Sequence, residues 1–406
     1  MDDDIKILYG NEKKRGAVLK VFGVGGAVGN AINRMIEEEL KGVEFVAVNT
    51  DMQVLSTITP PALKLQIGDK ITRGLGAGSN PDIGEQAALD DTGQIIEALE
   101  GAHMVFITAG MGGGTGTGAS HVIANHASTM GILTVAVVSK PFHFEKEKRM
   151  RVAEEGIRKL KENVDAIIII PNQKLLELGD PNITYKNAYK KADEVLLQAV
   201  RGISDIISST GAQNVDFADV KATMVGKGIT LMGTGEAKGD NRAEEAANRA
   251  LNSPLLDNLA INGATWVLFN ITASSTLTLI EIEKISDLIT KNADIDATIK
   301  FGVIEDENAG DAMRVTVIAT GFKEGRGDSA TRGKTPPAAF VPIEPSFRQP
   351  TPGQLFLGSS RPGSGGADLR HYVNDSNMPN MTHGPENFED PLDIPTFQRL
   401  NPIKKK

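Results

Sequence analysis

The sequence predicts an α/β protein in four parts: a domain built on a parallel sheet, a long central helix, a second α+β domain and a disordered tail. Three observations lead to this prediction. Strand-like and helix-like segments alternate through the first part of the chain, a continuous apolar helical pattern follows them, and the prolines collect near the end. Of the 19 prolines, the first 322 residues contain 7 and the last 84 contain 12.

The first domain, which we place at residues 1–187, contains short apolar runs that each precede a loop. These runs lie at residues 18–22, 44–48, 104–108, 133–138 and 165–170. Helical patterns between them indicate βαβ units and therefore a parallel sheet. Ligands of such sheets bind at the carboxyl ends of the strands, so the loops after these runs form the candidate site.

The most specific of these loops is residues 112–118, which read Gly-Gly-Gly-Thr-Gly-Thr-Gly directly after the apolar run 104–108. Glycine lets the backbone turn at positive φ and brings N–H groups close to an anion, and the threonine hydroxyls add donors. Residues 119–130 can be helical, which would set the loop at a helix amino terminus where the dipole favours negative charge. The pattern therefore predicts a phosphate-binding loop rather than a flexible hinge.

A second glycine cluster, Gly23–Asn30, also lies between a strand-like and a helix-like segment, and the two loops together predict a polyphosphate held from two sides. The cluster nearly satisfies the dinucleotide fingerprint, and Asp51 stands where a ribose-binding acid would lie. However, Val28 occupies a position that requires glycine or alanine. Residues 327–335 resemble a Walker A loop but are one residue too long and follow no strand. The phosphate site is therefore neither a P-loop nor a simple Rossmann site.

The central helix is predicted at residues 188–210, because apolar residues recur there at three- and four-residue spacing. Beyond it we place a second domain at residues 211–322, in which Met313–Ala319 alternates like a half-buried strand. The loop after the helix carries two carboxylates, Asp216 and Asp219, which could share one face of a helical turn. Helix capping is the alternative role for Asp216.

The tail is rich in Pro, Gly, Ser and Arg over residues 323–388 and has no apolar periodicity. Such a segment cannot bury enough surface to offset its ordering entropy, so we predict a disordered linker. Residues 389–406 contain a short acidic and apolar peptide, Asp390–Phe397, followed by three lysines, Lys404–Lys406. Apolar residues at the tip of a disordered tail indicate a docking peptide.

Composition argues against several classes of protein. The chain has no cysteine for a disulfide or a thiolate metal site, and its charged amino terminus does not resemble a signal peptide, so we expect a cytoplasmic protein. No apolar stretch is long enough to span a membrane. The net charge of −9 disfavours nucleic-acid binding, which depends on phosphate contacts. The histidines show no metal-ligand spacing, so no metal site formed by protein side chains is predicted.

Taken in order, the motifs resemble those of FtsZ, the bacterial tubulin-like division GTPase. The resemblance is carried by the two glycine loops, Pro141–Glu145, Pro171–Asn172, the long helix and Asn214–Asp219, and it covers residues 16–322. It implies a tubulin-like Rossmann-type GTP-binding domain joined by the helix to a GTPase-activating α+β domain. The last peptide is similar to that family's partner-binding peptide, through Leu392, Ile394, Pro395 and Phe397.

The resemblance implies GTP as the substrate, together with Mg²⁺, and places most of the site on the glycine loops. Glu145 and Arg149, four apart on the next helix, would take the ribose and reach toward the phosphate. Asn172 and Asp193 would read guanine, since a carboxylate accepts from its N1–H and exocyclic amine, and Tyr189 would stack beside the base. The contacts implied for the loops are Gly25, Gly26, Ala27, Val28, Gly29, Asn30, Ala77, Gly78, Gly113, Gly114, Thr115, Gly116, Thr117 and Gly118.

The resemblance also implies that no monomer holds a complete active site. Asp216 and Asp219, with Asn214, would act on the GTP of the neighbouring subunit after head-to-tail association, where they orient and polarise the attacking water. Such a contact does not close on itself, so it builds a filament that hydrolysis then turns over. The filament would form the division ring at the septum, and the terminal peptide would bind membrane adaptors and regulatory division proteins.

Other functions share part of this pattern. A tubulin-like GTPase that moves plasmids has the same core chemistry, but the terminal peptide favours division. A dinucleotide-dependent oxidoreductase would leave the Gly112–Gly118 loop and the loop with Asp216 and Asp219 unexplained, and a scaffold that merely binds GTP would need that acidic loop to be a helix cap alone. The chain also departs from the family pattern, with Tyr189 in place of a usual phenylalanine and with Ala27 and Val28 in place of common glycines.

Overall fold

In a computed structural model of the chain, one sheet runs through the described residues, which are 16–40, 42–177, 183–208, 215–253, 261 and 263–322. Its strands are β1 (Leu19–Val24), β2 (Val43–Asn49), β3 (Leu63–Gln66), β4 (Met104–Gly110), β5 (Leu133–Lys140), β6 (Ala166–Pro171), β7 (Gly228–Ala237), β8 (Trp266–Ala273), β9 (Thr298–Glu305) and β10 (Met313–Thr320). They are ordered β3-β2-β1-β4-β5-β6-β7-β10-β8-β9. All pairs from β3 to β7 are parallel, β10 is antiparallel to β7 and β8, and β9 is parallel to β8.

Helices connect most of the strands. They are α1 (Gly29–Glu37), α2 (Met52–Ser56), α3 (Asp69–Thr72), α4 (Pro81–Asp90), α5 (Thr92–Leu99), α6 (Thr115–Thr129), α7 (Glu147–Lys161), α8 (Asn172–Glu177), α9 (Tyr185–Ser208), α10 (Phe217–Met224), α11 (Arg242–Leu251) and α12 (Leu279–Asn292). The five apolar runs of the first domain all fall on observed strands. Their ends differ from the observed ends by two residues or fewer, which confirms the α/β class with a parallel sheet.

Helices cover both faces of the parallel strands, which explains why these strands are continuous apolar runs. On one face, Val21 and Phe106 belong to a buried cluster with residues of α1 and α9. On the other face, Phe22 and Ile107 belong to a second buried cluster with residues of α5, α6 and α7. The core therefore fixes the strands from two sides and leaves their carboxyl ends to carry the loops.

The central helix α9 joins the two halves of the sheet. It begins at Tyr185, three residues before the predicted start, and is described to Ser208. Its buried residues, among them Ala199 and Ile203, share one cluster with residues of β4, β5 and β6 and with Ile318 of β10. Because a single apolar core crosses from one half to the other, α9 holds the two halves together.

The predicted alternation of Met313–Ala319 is wrong. Every residue of β10 except Arg314 is buried, because the strand lies between β7 and β8 and both of its faces are covered. Ile318 packs toward α9, while Val315 and Val317 pack beneath α11 and α12. A central strand covered on both faces has no solvent-exposed side to alternate with.

The described residues all belong to one compact unit, and β6 pairs directly with β7 through Ala166 with Gly228 and Ile167 with Ile229. The domain boundaries at residues 187, 210 and 322 therefore stay predictions. The linker 323–388 and the terminal peptide 389–406 lie outside the described residues.

Candidate nucleotide site

Three glycine-rich loops meet at the carboxyl edge of the parallel strands. The first follows β1, the second follows β4, and the third, residues 74–79, lies beside the end of β2. Gly25 has a φ of 86°, and a Cβ at this position would lie 2.8 Å from the amide nitrogen of Gly116. A Cβ on Gly114 would likewise lie 2.8 Å from the Cβ of Ala77. Glycine therefore allows three backbones to approach one another closely enough to form one cradle.

The second loop leads into a helix four residues earlier than the sequence predicted. α6 begins at Thr115, with Gly114 as its N-cap residue. The hydroxyls of Thr115 and Thr50 are 2.7 Å apart and tie the helix start to the end of β2, and Thr117 Oγ1 accepts from the Gly112 N–H at 2.9 Å. The first N–H groups of a helix have no partner within it, so this end presents donors and a positive dipole to an anion.

A cavity of about 330 Å³ opens between the loops. Its walls are mostly backbone and small side chains, with one guanidinium at the rim, which suits a polyphosphate. The structure brings these predicted residues together as its lining: Gly25, Gly26, Ala27, Ala77, Gly78, Gly113, Gly114, Thr115, Gly116 and Arg149.

Sequence reasoning did not assign eight further residues of the lining, which are Val24, Asn49, Asp51, Val54, Leu75, Gly76, Ser79 and Gly110. Asn49 and Asp51 stand where β2 ends, so the rule that ligands bind at carboxyl ends of strands could have found them. Asp51 entered the sequence argument only as a ribose acid of a dinucleotide site. In the structure its Oδ1 accepts from the N–H groups of Gln53 and Val54 at 2.9 and 3.3 Å and caps α2.

Five predicted loop residues do not line the cavity, namely Val28, Gly29, Asn30, Thr117 and Gly118. The side chain of Val28 is buried in the core beneath the first loop, and Asn30 is exposed on α1. A Cβ on Gly118 would overlap the carbonyl oxygen of Pro81, so this glycine permits close contact between α6 and α4. The ligand contacts of these five residues stay predictions.

Glu145 and Arg149 form the predicted ribose side of the site. Their side chains are 2.9 Å apart, and that of Glu145 is only 8% exposed. The expectation that both lie on one helix is wrong: Glu145 ends a 3-10 turn and Arg149 lies in the first turn of α7, because Lys146 between them adopts a φ of 76°. Glu145 Oε1 also accepts from the Phe142 N–H at 3.0 Å, which fixes the carboxylate in place.

The predicted base-reading residues carry unsatisfied or perturbed polar groups. Asn172 is 4% exposed, and its Oδ1 has no hydrogen-bond partner within the described residues. An unpaired buried acceptor costs about 1–3 kcal/mol, so it indicates a partner that a ligand supplies. Burial raises the pKa of Asp193 to about 7, against the opposing charge of Arg34 and with a smaller contribution from Glu194. Such a shift is typical of a functional carboxyl.

In the acidic loop, Asp216 has the helix-capping role that the sequence analysis gave as the alternative to catalysis. Asp216 caps α10 and accepts the Asp219 N–H at 2.7 Å. Asp219 pairs with Lys300 of β9 at 3.2 Å. Asp216 is exposed and Asp219 is half-buried. Asn214 lies outside the described residues.

α10 lies at the amino ends of the parallel strands, whereas the cavity lies at their carboxyl ends. The ring of Phe217, next to Asp216, is 6.3 Å from that of His103, and His103 directly precedes β4. The cavity loop instead follows β4. A strand of this length spans roughly 20 Å, so Asp216 is about that far from the phosphate cradle of its own chain.

Two further features bear on the chemistry. Among the described residues, no three His, Cys, Asp or Glu side chains stand close enough to hold a metal ion. No helix in the described ranges is long and apolar enough to cross a membrane.

Two family models match the chain. The GTPase domain of the Tubulin/FtsZ family covers residues 18–180, and the C-terminal domain of the FtsZ family covers residues 228–323. Cell division protein FtsZ from Pseudomonas aeruginosa is 53% identical over 306 residues, which are 75% of this chain and 77% of that protein. The same protein from Azotobacter vinelandii is 52% identical with the same coverage.

Solved structures give the same result. An FtsZ dimer from M. jannaschii matches with a TM-score of 0.71 and 46% identity over 75% of this chain and 88% of that one. CetZ1 from Haloferax volcanii, bound to GDP, matches with a TM-score of 0.66 and 19% identity over 75% of this chain and 94% of that one, and so shares the fold. Identity above one half over three quarters of the chain extends across both matched domains. The chain therefore belongs to the FtsZ family and is a GTP-dependent, tubulin-like cytoskeletal GTPase of cell division.

Proposed function

We propose that this chain assembles head to tail and hydrolyses GTP at the contact between subunits, with Asp216 and Asp219 of one subunit acting on the GTP of the next. The observation that carries the proposal is the separation of two half-sites in one chain. The phosphate cradle lies at the carboxyl ends of the parallel strands. Asp216 and Asp219 lie at the amino ends of the same strands. The FtsZ relatives include a dimer structure, which supports self-association.

The arrangement of the carboxylates fits a role across an interface. Asp216 uses Oδ1 to cap α10 and is exposed, so its carboxylate is held in one orientation while it remains accessible to a neighbouring subunit. A fixed carboxylate can orient and polarise a water for attack on the γ-phosphate. Asn214 is proposed to assist them from the preceding loop.

In this proposal, the cradle binds the phosphates of the nucleotide. Backbone N–H groups of the second loop and the amino terminus of α6 hold the phosphates, and Arg149 reaches the rim. We propose that Mg²⁺ accompanies the triphosphate, held chiefly by phosphate oxygens and water, and that it neutralises charge there. The cradle, built of glycines, backbone and small side chains, fits an ion that arrives with the nucleotide.

In this proposal, the place of the protein in the cell follows from its assembly into filaments. The filament forms the division ring in the cytoplasm at the septum, and the terminal peptide ties it to membrane adaptors through Leu392, Ile394, Pro395 and Phe397.

The test is phosphate release from GTP with Mg²⁺ at increasing protein concentration. A shared site predicts a rate near zero up to a threshold and a steep rise above it. A rate proportional to protein from the lowest concentration would mean that one chain holds a complete site and would remove the roles of Asp216 and Asp219.

Mixing two variants sharpens this test. Asp216→Ala leaves the cradle intact and should bind GTP and assemble without turnover, whereas Gly25→Ala places a methyl group against Gly116 and should lose nucleotide binding. Each is expected to be inactive alone. If the site is shared, filaments that contain both should regain activity where a Gly25→Ala subunit presents Asp216 to the GTP of an Asp216→Ala subunit. No regain in co-assembled filaments would contradict the shared site.

A further inference from the structure

A lysine from a distant part of the chain lies beside the carboxylates of the proposed half-site. Lys300 Nζ is 3.2 Å from Asp219 Oδ1, and Asp219 donates its N–H to Asp216 Oδ1 at 2.7 Å. The side chains of Lys300 and Asp219 are 46% and 38% exposed, and Asp216 is exposed as well. The half-site that we propose to face the next subunit therefore presents a cation together with its two carboxylates.

The fold explains why Lys300 lies at this place. In β9, Ile299 and Phe301 pack against the buried cluster that includes residues of α11 and α12. Successive side chains of a strand point to opposite faces, so Lys300 lies on the other face of β9. The start of β9 and the end of β10 both pair with the start of β8, and Thr320 Oγ1 of β10 donates to the Thr223 carbonyl of α10 at 2.8 Å. The register of the sheet thus places the lysine beside α10.

The charge of the nucleotide is the reason that a cation matters here. A triphosphate is strongly negative, so it repels carboxylates that approach it. Among the described residues that line the cavity, Arg149 is the one cationic side chain, and the loops lack the lysine of a P-loop. An ammonium has three N–H donors, so Lys300 can keep its pair with Asp219 and donate to a second acceptor.

We propose that Lys300 is a catalytic residue supplied in trans: its ammonium, held beside Asp219, donates to the γ-phosphate of the GTP in the neighbouring subunit. There it offsets the repulsion between the carboxylates and the phosphate, and it neutralises charge on the phosphoryl oxygens during transfer to water. The inference rests on the proposed shared site. It adds a cation from β9 to a half-site that otherwise consists of the acidic loop alone.

The test compares Lys300→Gln and Lys300→Arg with the wild-type full-length chain. Lys300→Gln can still donate to Asp219 but carries no charge, whereas Lys300→Arg keeps the charge. Phosphate release is divided by the amount of protein that sediments as filaments, so that a change in assembly does not count as a change in turnover. We expect Lys300→Gln to be slower per assembled subunit by about tenfold to a hundredfold, the worth of a hydrogen bond to a charged group. Lys300→Arg should keep most of the activity.

Two further measurements locate the effect. Below the assembly threshold, Lys300→Gln should bind GTP as the wild type does, because Lys300 does not line the cradle of its own chain. Filaments that combine Lys300→Gln with Gly25→Ala should regain activity where a Gly25→Ala subunit presents Lys300 to the GTP of a Lys300→Gln subunit. Lys284→Gln is the matched control and should not change turnover: this exposed lysine lies on α12, which packs against the opposite face of β9.

Three results would overturn the inference. Turnover per assembled subunit could be unchanged in Lys300→Gln, Lys300→Arg could be as slow as Lys300→Gln, or the mixed filaments could show no regain of activity. A wild-type rate proportional to protein from the lowest concentration would instead remove the shared site itself, and it is measured without any variant. The two failures are therefore distinguishable.

Discussion

Burial disfavours the charged form of Asp193, the carboxyl that we propose reads guanine in its ionised form. Its carboxyl has a pKa of about 7 because burial disfavours the charged form. The unfolded chain has an aspartate pKa of about 3.9, so the folded state binds this proton more tightly. The favourable contribution is therefore complete below about pH 4 and is lost as the pH rises to about 7. Without a ligand, the ionised carboxylate destabilises the protein at neutral pH.

We expect Asp193→Asn to stabilise the nucleotide-free protein at pH 8, by on the order of 2 kcal/mol, and to have no such effect at pH 4. The physical reason is that the amide carries no charge to bury. Chemical unfolding at the two pH values measures this. Glu194→Gln is the control, since Glu194 pairs with Arg34 at 2.7 Å and is 41% exposed. A loss of stability at pH 8 in Asp193→Asn would contradict the burial argument.

The same carboxyl should make GTP affinity depend on pH. Only the ionised form accepts from the guanine N1–H and amine, so affinity should be constant well above pH 7 and should fall by up to tenfold per unit below it. Titration of GTP at pH 8, 7 and 6 measures the slope. Asp193→Asn should bind weakly with no slope in this range. An equal slope in both proteins would assign the pH dependence to another group.

At the scale of elements, one residue at the start of a helix can cap that helix and also hold a neighbouring helix. α12 begins with a capping box, in which Thr278 and Glu281 exchange hydrogen bonds. Glu281 also pairs with Arg242, whose side chain is only 6% exposed, at 2.8 Å. The hydrogen bond from Arg242 lowers the pKa of Glu281 to about 2. One glutamate thus caps its own helix and ties it to α11.

We expect Arg242→Met to destabilise the protein by about 3 kcal/mol, because the Glu281 carboxylate loses its charged partner while it remains mostly buried. Loss of the partner should also raise the pKa of Glu281 toward its unfolded value, so the variant should lose less stability on acidification than the wild type does. Urea unfolding at pH 7 and pH 4 measures both effects. Arg249→Met is the control: its pair with Glu245 is exposed on both sides and should change stability by less than about 1 kcal/mol. Equal effects of the two variants would contradict this account.

At the scale of the whole molecule, the phosphate cradle and Asp216 lie at opposite ends of the parallel strands, and we propose that they are complementary halves of one reaction. The strand direction sets this polarity, since loops after parallel strands gather at one edge and α10 packs at the other. The proposed head-to-tail contact joins two unlike ends, and such a contact builds a filament when its rotation does not close a ring.

We expect removal of residues 390–406 to leave concentration-dependent GTPase activity within twofold of the full chain and to abolish recruitment to membranes carrying the adaptor. The reason is that the proposed reaction uses only residues that precede the tail. Phosphate release and co-sedimentation with adaptor-loaded vesicles measure the two properties. Substitution of Lys404–Lys406 alone is the control, because three lysines contribute roughly 1 kcal/mol each at an anionic surface. Full recruitment of the truncated chain would place the docking peptide elsewhere.

The sequence alone determined the α/β class and the strands, and it predicted the phosphate loop, because each rests on local chemistry. Buried strands must be apolar, and a loop such as Gly112–Gly118 needs glycine wherever backbone approaches an anion. The resemblance of the ordered motifs then supplied the family. Boundaries were less certain, as the starts of α6 and α9 show, since capping geometry depends on what each helix packs against.

Tertiary structure alone decided the features that join distant segments. No spacing rule links Thr50 to Thr115, reveals that Asn172 keeps a buried acceptor unpaired, or shows that β10 is covered on both faces. Each of these depends on residues far apart in the chain, and burial is a property of the assembled sheet. The separation of Asp216 from the cradle is another such feature. Both motifs can be recognised in the sequence, but only the direction of the strands places them at opposite ends of the sheet.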